Sequence, residues 1–184
     1  MDWVPVLHTV CGAVIGGGIT LAATVLSMCL KERLDRRRAI QEWYETRYLN
    51  EGTAVLLQHL AGALRSLQVE QCPPRDEERA QIIRAGARVN ELLQSNTLEQ
   101  LLLLAITHAK CPTEDDMVIA VGLFSTLVPA VNKLQRTLVT KQPRRKVDVL
   151  TMHDDPDLRE LCEFFRERNE WYQDQLKARS LTVA

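Results

Sequence analysis

Close carboxylates at three places in the sequence could bind a divalent cation. The clusters are Asp76-Glu77-Glu78, Glu114-Asp115-Asp116, and Asp154-Asp155 with Asp157. Carboxylate oxygens at this spacing are ligands that Mg²⁺ and Ca²⁺ accept. Each cluster also stands at the expected start of a helix, where carboxylates satisfy free N–H groups and stabilise the helix dipole by roughly 0.3–1 kcal/mol each. We therefore assign all three clusters to helix starts and predict no metal site.

The histidines and cysteines show no spacing that is typical of a zinc site or a catalytic centre. They are His8, His59, His108 and His153, and Cys11, Cys29, Cys72, Cys111 and Cys162. No HExxH or CxxC pattern occurs, and His108 with Cys111 has no second pair of ligands. An odd number of irregularly spaced cysteines is unlike a disulfide framework and fits free thiols in a reducing cytoplasm. The sequence therefore predicts no catalytic residue and no cofactor.

The charge balance excludes a generally basic nucleic-acid binder, because 23 Lys and Arg face 24 Asp and Glu. A basic patch does occur at Lys141 and Arg144–Lys146. No aromatic residues interleave with it, as binding of single-stranded nucleic acid would favour. We interpret the patch as a solvated loop, with a position near an anionic membrane surface as the alternative. No nucleic-acid partner is predicted.

A stretch of 28 uncharged residues, Trp3 to Leu30, lies near the start of the sequence. About 20 apolar residues cross the hydrocarbon core of a bilayer as a helix. Pro5 suits the first turn of such a helix, and Trp3 suits the headgroup boundary. We predict a transmembrane helix from about Leu7 to Leu30. A cleaved signal peptide is the alternative, but it would carry a basic start, a shorter apolar core and a cleavage site of small residues.

A cluster of basic residues follows this segment at once and sets the expected orientation. It consists of Lys31, Arg33, Arg36, Arg37 and Arg38, and no Lys or Arg precedes the segment. The positive-inside rule then places the amino terminus outside and the rest of the chain in the cytoplasm. The same cluster could bind anionic lipid headgroups. Glu32 and Asp35 dilute its charge, so orientation is the expected role.

Small residues recur at four-residue spacing along the predicted membrane helix. They are Gly12, Gly16, Thr20 and Thr24. A stripe of small residues lets two helices approach closely, which is how helices associate inside a membrane. We interpret this face as a site of self-association. The alternative is a glycine-rich anchor without a partner, because glycine is frequent in membrane helices.

Trp43, Tyr44 and Tyr48 form an aromatic cluster just beyond the basic cluster. Tyr44 and Tyr48 share a helix face at four-residue spacing. Aromatic residues anchor protein interfaces, so the cluster is a candidate interaction surface for an unidentified protein partner. The favoured alternative is packing inside the protein against Trp171 and Tyr172, because aromatic side chains are more often buried.

The remaining sequence predicts one helix after another, with ends at proline, glycine and capping residues. These ends are Cys72–Pro74, Ser95–Thr97, Cys111–Thr113, Lys141–Lys146 and Asp155-Pro156. Asn50–Gly52 weakens the helix that follows the membrane segment, and Thr53 is a candidate cap for a fresh start. The segment Leu98 to Ala109 is nearly all apolar, which predicts the central helix. Residues 147–153 are open between an extended stretch and one helical turn. The 16 uncharged residues from Met117 to Asn132 predict a core helix, with a second membrane crossing as the alternative.

The sequence thus predicts an all-α protein with one N-terminal transmembrane helix and a cytoplasmic bundle of about five or six helices. The expected domains are an anchor at 1–30, a basic juxtamembrane helix at 31–50 and a helical domain at 51–184. The predicted function is a membrane-tethered interaction or scaffolding module without a catalytic site. Expected partners are the lipid bilayer, a second copy through the membrane helix, and an unidentified protein. The alternatives are a regulatory or signalling subunit that binds a small ligand or partner in the bundle, and a membrane-anchored enzyme without a local signature.

Overall fold

The computed structural model describes residues 4–110, 113–141 and 143–182, and the side chains of these residues from Ala23 to Ala178. Within these ranges every regular element is helical, so the all-α prediction is confirmed. The chain divides into two compact units, Met1–Ile40 and Gln41–Ala184. Residues 41–50, which the sequence predicts as part of the juxtamembrane helix, belong to the second unit together with the bundle.

The first unit consists of the greater part of one long helix, α1 (Val4–Tyr44). Side chains are exposed on every face of α1 from Ala23 to Ala39. They include Leu26 and Met28, which are 62% and 66% exposed. Arg36 donates a hydrogen bond to the Glu32 carboxylate one turn earlier, at 3.1 Å. The predicted span at residues 7–30 lies mostly before Ala23, where side chains are not described, and it stays a prediction.

The second unit is a bundle of helices joined by short loops. After α1 it contains a first π-helical segment (Glu45–Ala54), α2 (Val55–Arg65), a second π-helical segment (Ser66–Glu70), α3 (Asp76–Leu93), α4 (Thr97–Lys110), α5 (Glu114–Thr140), α6 (Lys146–Leu150), a 3₁₀ turn (Met152–Asp154) and α7 (Pro156–Thr182). Residues 147–153, left open by the sequence, are helical turns. Thr113 caps α5 by accepting a hydrogen bond from the Asp116 N–H at 3.2 Å, as predicted.

The core of the bundle is centred on α5, which packs against α2, α4, α7 and the first π-helical segment. Its buried face includes Leu123, Phe124, Leu127 and Val131. In the described part of the chain, α5 is also the one helix that is long and apolar enough to cross a membrane. The bundle buries 44% of the most apolar 18-residue stretch of α5. A core helix has the same length and composition, and the burial of α5 agrees with our interpretation of it as core.

The prediction that α4 is the central, most buried helix holds for burial but not for the number of neighbours: six of the 14 residues of α4 are buried, against eight of 27 in α5. The buried face of α4 includes Leu101, Leu102 and Ala105, while Leu103 is 44% exposed and Thr107 faces solvent. Its apolar composition made α4 look buried on all sides. The position of a helix in a bundle depends on how many other elements pack against it. More elements pack against α5 than against α4.

At Asn50–Gly52, where the sequence predicts a weakened helix, the chain is π-helical and a new α-helix begins at Val55, but the predicted Thr53 cap is wrong. Thr53 is fully buried and does not cap a new helix; its hydroxyl donates to the Leu49 carbonyl at 3.3 Å. Two ion pairs hold this segment against α3. Arg47 bonds to Glu91 at 2.7 Å, and Glu51 pairs with Arg88. Tertiary packing of this kind overrides a weak local helix signal.

Gly86 lets α3 and α4 approach closely. A Cβ atom at Gly86 would overlap Cδ1 of Leu102, whose side chain is buried. Gly86→Ala is therefore expected to lower the free energy of unfolding, because overpacking costs about 1–3 kcal/mol against a gain in helix propensity of about 1 kcal/mol. The matched control is Gly62→Ala on α2, where nothing lies within 4 Å.

We expect Gly62→Ala to raise stability by about 0.5–1 kcal/mol, since only the propensity gain remains. Urea unfolding of the full chain in detergent, followed by circular dichroism, measures both variants. Equal gains from the two substitutions would show that the α3–α4 contact at Gly86 is loose.

Candidate functional site

Two of the three predicted aromatic residues lie in the core. Tyr44 is 1% exposed and Tyr48 is 7% exposed, with 5.9 Å between their ring centroids. The Tyr44 hydroxyl donates to the Leu138 carbonyl near the end of α5 at 3.1 Å. Burial, and to a lesser degree the neighbouring Tyr48, raises the pKa of Tyr44 well above its usual value. These two rings are therefore packed inside the bundle, as the alternative interpretation held.

The predicted packing partners of these rings are wrong. Trp171 and Tyr172 contact each other on α7, edge to face at 4.7 Å between centroids. Tyr172 lies against α5 near Gly122, where a Cβ atom would be 3.0 Å from its hydroxyl. Burial raises the pKa of Tyr172 above its usual value. The pairing of aromatic rings across the bundle depends on long-range topology, which residue type alone does not reveal.

Trp43 is the member of the aromatic cluster that reaches the surface. Its ring packs edge to face against Tyr48, with 5.6 Å between centroids. On its other side, the Lys146 ammonium lies 5.2 Å from the Trp43 ring centroid, within the range of a cation–π contact. Trp43 is therefore half-buried beside the first residue of α6, and it links the start of the bundle to the basic patch.

The basic patch is built on the loop between α5 and α7. Asp148 orders it, because its carboxylate accepts hydrogen bonds from the backbone N–H groups of Arg144 and Arg145 at 3.0 and 2.8 Å. Desolvation works in the opposite direction, but the backbone N–H groups and the Arg145 guanidinium hold the pKa of Asp148 below its usual value. Asp148 thus caps the start of α6.

One face of α6 combines basic and apolar side chains. Val149 is buried, whereas Val147 is 49% and Leu150 is 63% exposed. At about 100° per residue, Lys146, Leu150 and Val147 fall within one third of the helix circumference. We call Arg144, Arg145, Lys146, Val147 and Leu150 the α6 face; all five are exposed. The basic residues of this face are evident in the sequence, whereas the two apolar residues were not predicted; their three-residue spacing was the available signal.

Lys141 joins the end of α5 to the start of α7. Its ammonium bonds to the Asp155 carboxylate at 2.6 Å and lies 3.4 Å from that of Asp157. The hydrogen bond with Asp155 raises the pKa of Lys141, and the same bond holds the pKa of Asp155 below its usual value. Asp155 also caps α7, since its carboxylate accepts from the Asp157 N–H at 3.1 Å. The loop that carries the α6 face is therefore closed by an ion pair.

Asp155→Asn tests this ion pair, because asparagine can still cap α7 but carries no charge. The depressed pKa of Asp155 contributes stability above the unfolded value of about 3.9, and this stability is lost as pH falls through the folded pKa. We expect the variant to be less stable than the unsubstituted chain at pH 7, with the difference closing below about pH 3.9.

The control for this experiment is Glu167→Gln, which removes an exposed carboxylate elsewhere on α7. Urea unfolding at a series of pH values measures both variants. A difference between Asp155→Asn and the unsubstituted chain that stays constant from neutral to strongly acidic pH would contradict the assigned ion pair.

A histidine–carboxylate pair joins the end of α4 to the start of α5. His108 Nδ1 lies 2.7 Å from the Asp116 carboxylate, which also accepts from the Thr113 hydroxyl at 2.5 Å. The Thr113 and His108 hydrogen bonds, in that order, hold the pKa of Asp116 below its usual value. Such pairs activate nucleophiles in some enzymes. Here the nearby hydroxyl donates to the carboxylate and caps a helix, so the arrangement fixes a turn.

The acidic clusters remain helix starts in the structure. Asp76–Glu78, Glu114–Asp116 and Asp157 all fall in the first turns of their helices. The described residues contain no group of three or more His, Cys, Asp or Glu side chains placed to hold a metal ion. Cys72 is an exposed thiol, whereas Cys162 is half-buried, and burial raises its pKa. A raised pKa makes the Cys162 thiol less reactive.

Two grooves lie on the surface of the bundle. The first, of about 640 Å³, runs beside the basic patch and is lined by residues of both charges, including Lys141, Arg144 and Asp154. The second, of about 260 Å³, lies between α5 and α7. Pro129, Leu161 and Phe164 form the apolar part of its lining. Lys133 and Glu160 also line the groove and form an ion pair, with 2.8 Å between the ammonium nitrogen and the carboxylate oxygen.

The predicted sites on α1 are only partly described. Gly12, Gly16 and Thr20 lie outside the residues whose side chains are described, while Thr24 is exposed. The basic cluster is helical and exposed along its length: Lys31, Arg33, Arg36, Arg37 and Arg38. Comparisons with protein-family models, curated proteins and solved structures found nothing that matches this chain.

Proposed function

We propose that this chain is a single-pass membrane protein whose cytoplasmic helical bundle serves as an interaction or scaffolding module, without a catalytic site of its own. The observation that carries the proposal is the surface of α1. Val25, Leu26, Met28 and Leu30 are each more than half exposed. An exposed apolar helix face is costly in water and marks a surface that lipid or a partner covers.

The sequence on both sides of these residues favours lipid. They belong to the 28 uncharged residues that precede the basic cluster, and that length suits a bilayer crossing. The basic cluster favours an orientation with the amino terminus outside and the bundle in the cytoplasm. The small residues Gly12, Gly16, Thr20 and Thr24 would let two such helices associate, which gives a scaffold two copies of the bundle.

The bundle itself favours an interaction role over a chemical one. Its largest buried side chains form a core of Leu, Phe and Tyr residues, and the His108–Asp116 pair is used to fix a turn. An interaction module acts through the exposed side chains of its helices, which bind a partner. An enzyme would use titratable groups in a cleft for chemistry, whereas in the groove beside the basic patch Asp148 caps α6 and Lys141 pairs with Asp155.

The second candidate is a regulatory or signalling subunit that binds a small ligand within the bundle. The groove between α5 and α7 is the observation that favours it, because its floor is apolar and an ion pair borders it. Its volume of about 260 Å³ is below the range of about 300–1,000 Å³ that is usual for ligand pockets. We therefore place this function second.

Thiol accessibility in intact cells tests the proposed topology. Single-cysteine variants would retain Cys72 or carry Asp2→Cys or Gln173→Cys, and a membrane-impermeant maleimide would be added before or after the membrane is opened. Cys72 is exposed, and Gln173 lies on the exposed side of α7. Cys162 is a poor probe, because its burial and raised pKa would slow labelling even on the accessible side.

The proposal expects labelling of residue 2 in intact cells, and of residues 72 and 173 only after opening. Labelling of 173 but not 72 in intact cells would show that α5 crosses the membrane. Labelling of all three in intact cells would place the bundle outside. Either result contradicts the proposed topology. Cross-linking between two differently tagged copies through a Thr24→Cys variant tests self-association in the same membranes.

A further inference from the structure

We propose that the α6 face is a second membrane contact, which docks the bundle onto the anionic lipid surface beside its own anchor. This inference rests on the proposed function, because the anchor supplies the membrane. The α6 face combines three exposed basic residues with two exposed apolar residues. The contact would fix which surface of the bundle faces the cytoplasm.

The composition of the α6 face matches what a membrane surface selects. Basic side chains are attracted by anionic headgroups, while exposed aliphatic side chains enter the boundary between headgroups and acyl chains. Residues 141–150 contain four basic residues and one acidic residue. One carboxylate oxygen of Asp148 accepts from the backbone of Arg144 and Arg145 as a cap, and the other pairs with the Arg145 guanidinium at 3.1 Å, so Arg144 and Lys146 supply most of the positive charge. Val147 and Leu150 are then the exposed apolar pair beside the positive charge.

The geometry of the loop makes this face preformed. Asp148 caps the start of α6, and the Lys141–Asp155 ion pair closes the loop at its base. Lys146 lies over Trp43, which is half-buried and supplies an aromatic ring next to the basic residues. Tryptophan favours the headgroup region because its ring is apolar and its N–H can donate. Little ordering entropy therefore remains to be lost when the face meets lipid.

The anchor raises the local concentration of the membrane surface. A membrane that the same chain crosses acts as an intramolecular partner, so weak contacts are sufficient for docking. An attraction of about 1 kcal/mol per basic residue corresponds to roughly fivefold in the docked-to-free ratio.

The test uses the full chain reconstituted into vesicles of phosphatidylcholine alone or of phosphatidylcholine mixed with phosphatidylserine. In a background without other cysteines, Val147→Cys carries a polarity-sensitive fluorophore, and quenching by lipids brominated on their acyl chains is measured. The matched control position is Cys72, which is exposed on another loop of the bundle. Arg144→Gln with Lys146→Gln is the charge variant; it leaves Arg145 and the Asp148 cap in place.

We expect strong lipid quenching at residue 147 in the anionic vesicles, weaker quenching in neutral vesicles, and none at residue 72. The charge variant should lower the docked-to-free ratio about 30-fold, and high salt should act in the same direction. Equal, low quenching at residues 147 and 72 would overturn the proposal. So would protection of residue 147 from aqueous iodide without lipid quenching, because a second copy of the chain would then cover the face.

Failure of the anchor is distinguished from failure of the docking. If the chain does not float with the vesicles after alkaline extraction, the proposed membrane anchoring fails, and the docking inference fails with it. If the chain floats but residue 147 is not quenched by lipid, the anchor stands and the α6 face has no membrane contact. Circular dichroism of the charge variant shows whether the bundle keeps its helical content.

Discussion

Two arginines placed in the apolar segment of α1 are expected to release this protein from membranes. Ile15→Arg and Ile19→Arg lie four residues apart on one helix face, near the middle of the predicted span. Each arginine at the centre of a span costs about 2.5–3.5 kcal/mol on insertion scales, so the pair costs about 5–7 kcal/mol. Flotation of alkali-extracted membranes in a density gradient measures the effect, because aggregated protein does not float.

The matched control carries two arginines on exposed positions of the bundle, Gln68→Arg and Gln81→Arg. It has the same net charge as the first variant, and we expect it to float like the unsubstituted chain. If the variant with arginines in α1 floats as well as the control does, the predicted transmembrane helix is wrong. A shift of both variants to the soluble fraction would show that charge alone weakens attachment.

Phe124→Ala is expected to cause the largest loss of stability from a single substitution in the bundle. Phe124 is fully buried on α5, the helix with the most neighbouring elements. Truncating a buried phenylalanine removes apolar contacts and leaves a cavity, at a cost of about 3–5 kcal/mol. Domains of this size are stable by about 5–15 kcal/mol, so a large share of the total would be lost. Urea unfolding in detergent measures this change.

The neighbouring residue provides the control for this prediction. Ser125 is exposed on α5, and Ser125→Ala should change the free energy of unfolding by less than about 0.5 kcal/mol. Phe124→Leu should fall between the two and keeps the experiment informative if the alanine variant does not fold. A loss below about 1 kcal/mol for Phe124→Ala would show that α5 is not the centre of the core.

Helix ends were predictable because local chemistry determines them. Pro73 and Pro74 follow the second π-helical segment, Thr113 caps α5 and Pro156 begins α7, each where the sequence indicated. Proline restricts the backbone, and a threonine hydroxyl satisfies a free N–H group within one turn. Neither effect needs a distant partner. The Asp148 cap of α6 is equally local, since it accepts from N–H groups three and four residues earlier, so it was the available signal for the helical turn that the sequence left open at residues 147–153.

Errors arose where distant residues decide the outcome. Asn50–Gly52 is a weak local helix signal, yet the chain stays helical there because the segment packs against α3, with Gly52 and Thr53 buried. The nearly uniform apolar composition of α4 predicts burial on all sides, although Leu103 is exposed. A sequence reveals the polarity of each residue but not the number of elements that will pack on it.

The candidate surface was found only in half for a related reason. The basic residues at 144–146 stand out in the sequence as a run of charge. Val147 and Leu150 do not, because single apolar residues are common in both loops and cores. Their exposure follows from the burial of Val149, which sets the rotation of α6 against the bundle. That rotation is a property of the assembled fold.

The two ion pairs between the first π-helical segment and α3 also specify alignment. Along the chain, Arg47 precedes Glu51, and Arg88 precedes Glu91, so each cation faces an anion only when the two segments run antiparallel in this register. A slip by one turn would bring like charges together, either the two arginines or the two glutamates. The pairs therefore discriminate against misaligned bundles more than they stabilise the correct one. Because all four side chains are solvent-accessible, dissolved salt would weaken this discrimination during folding.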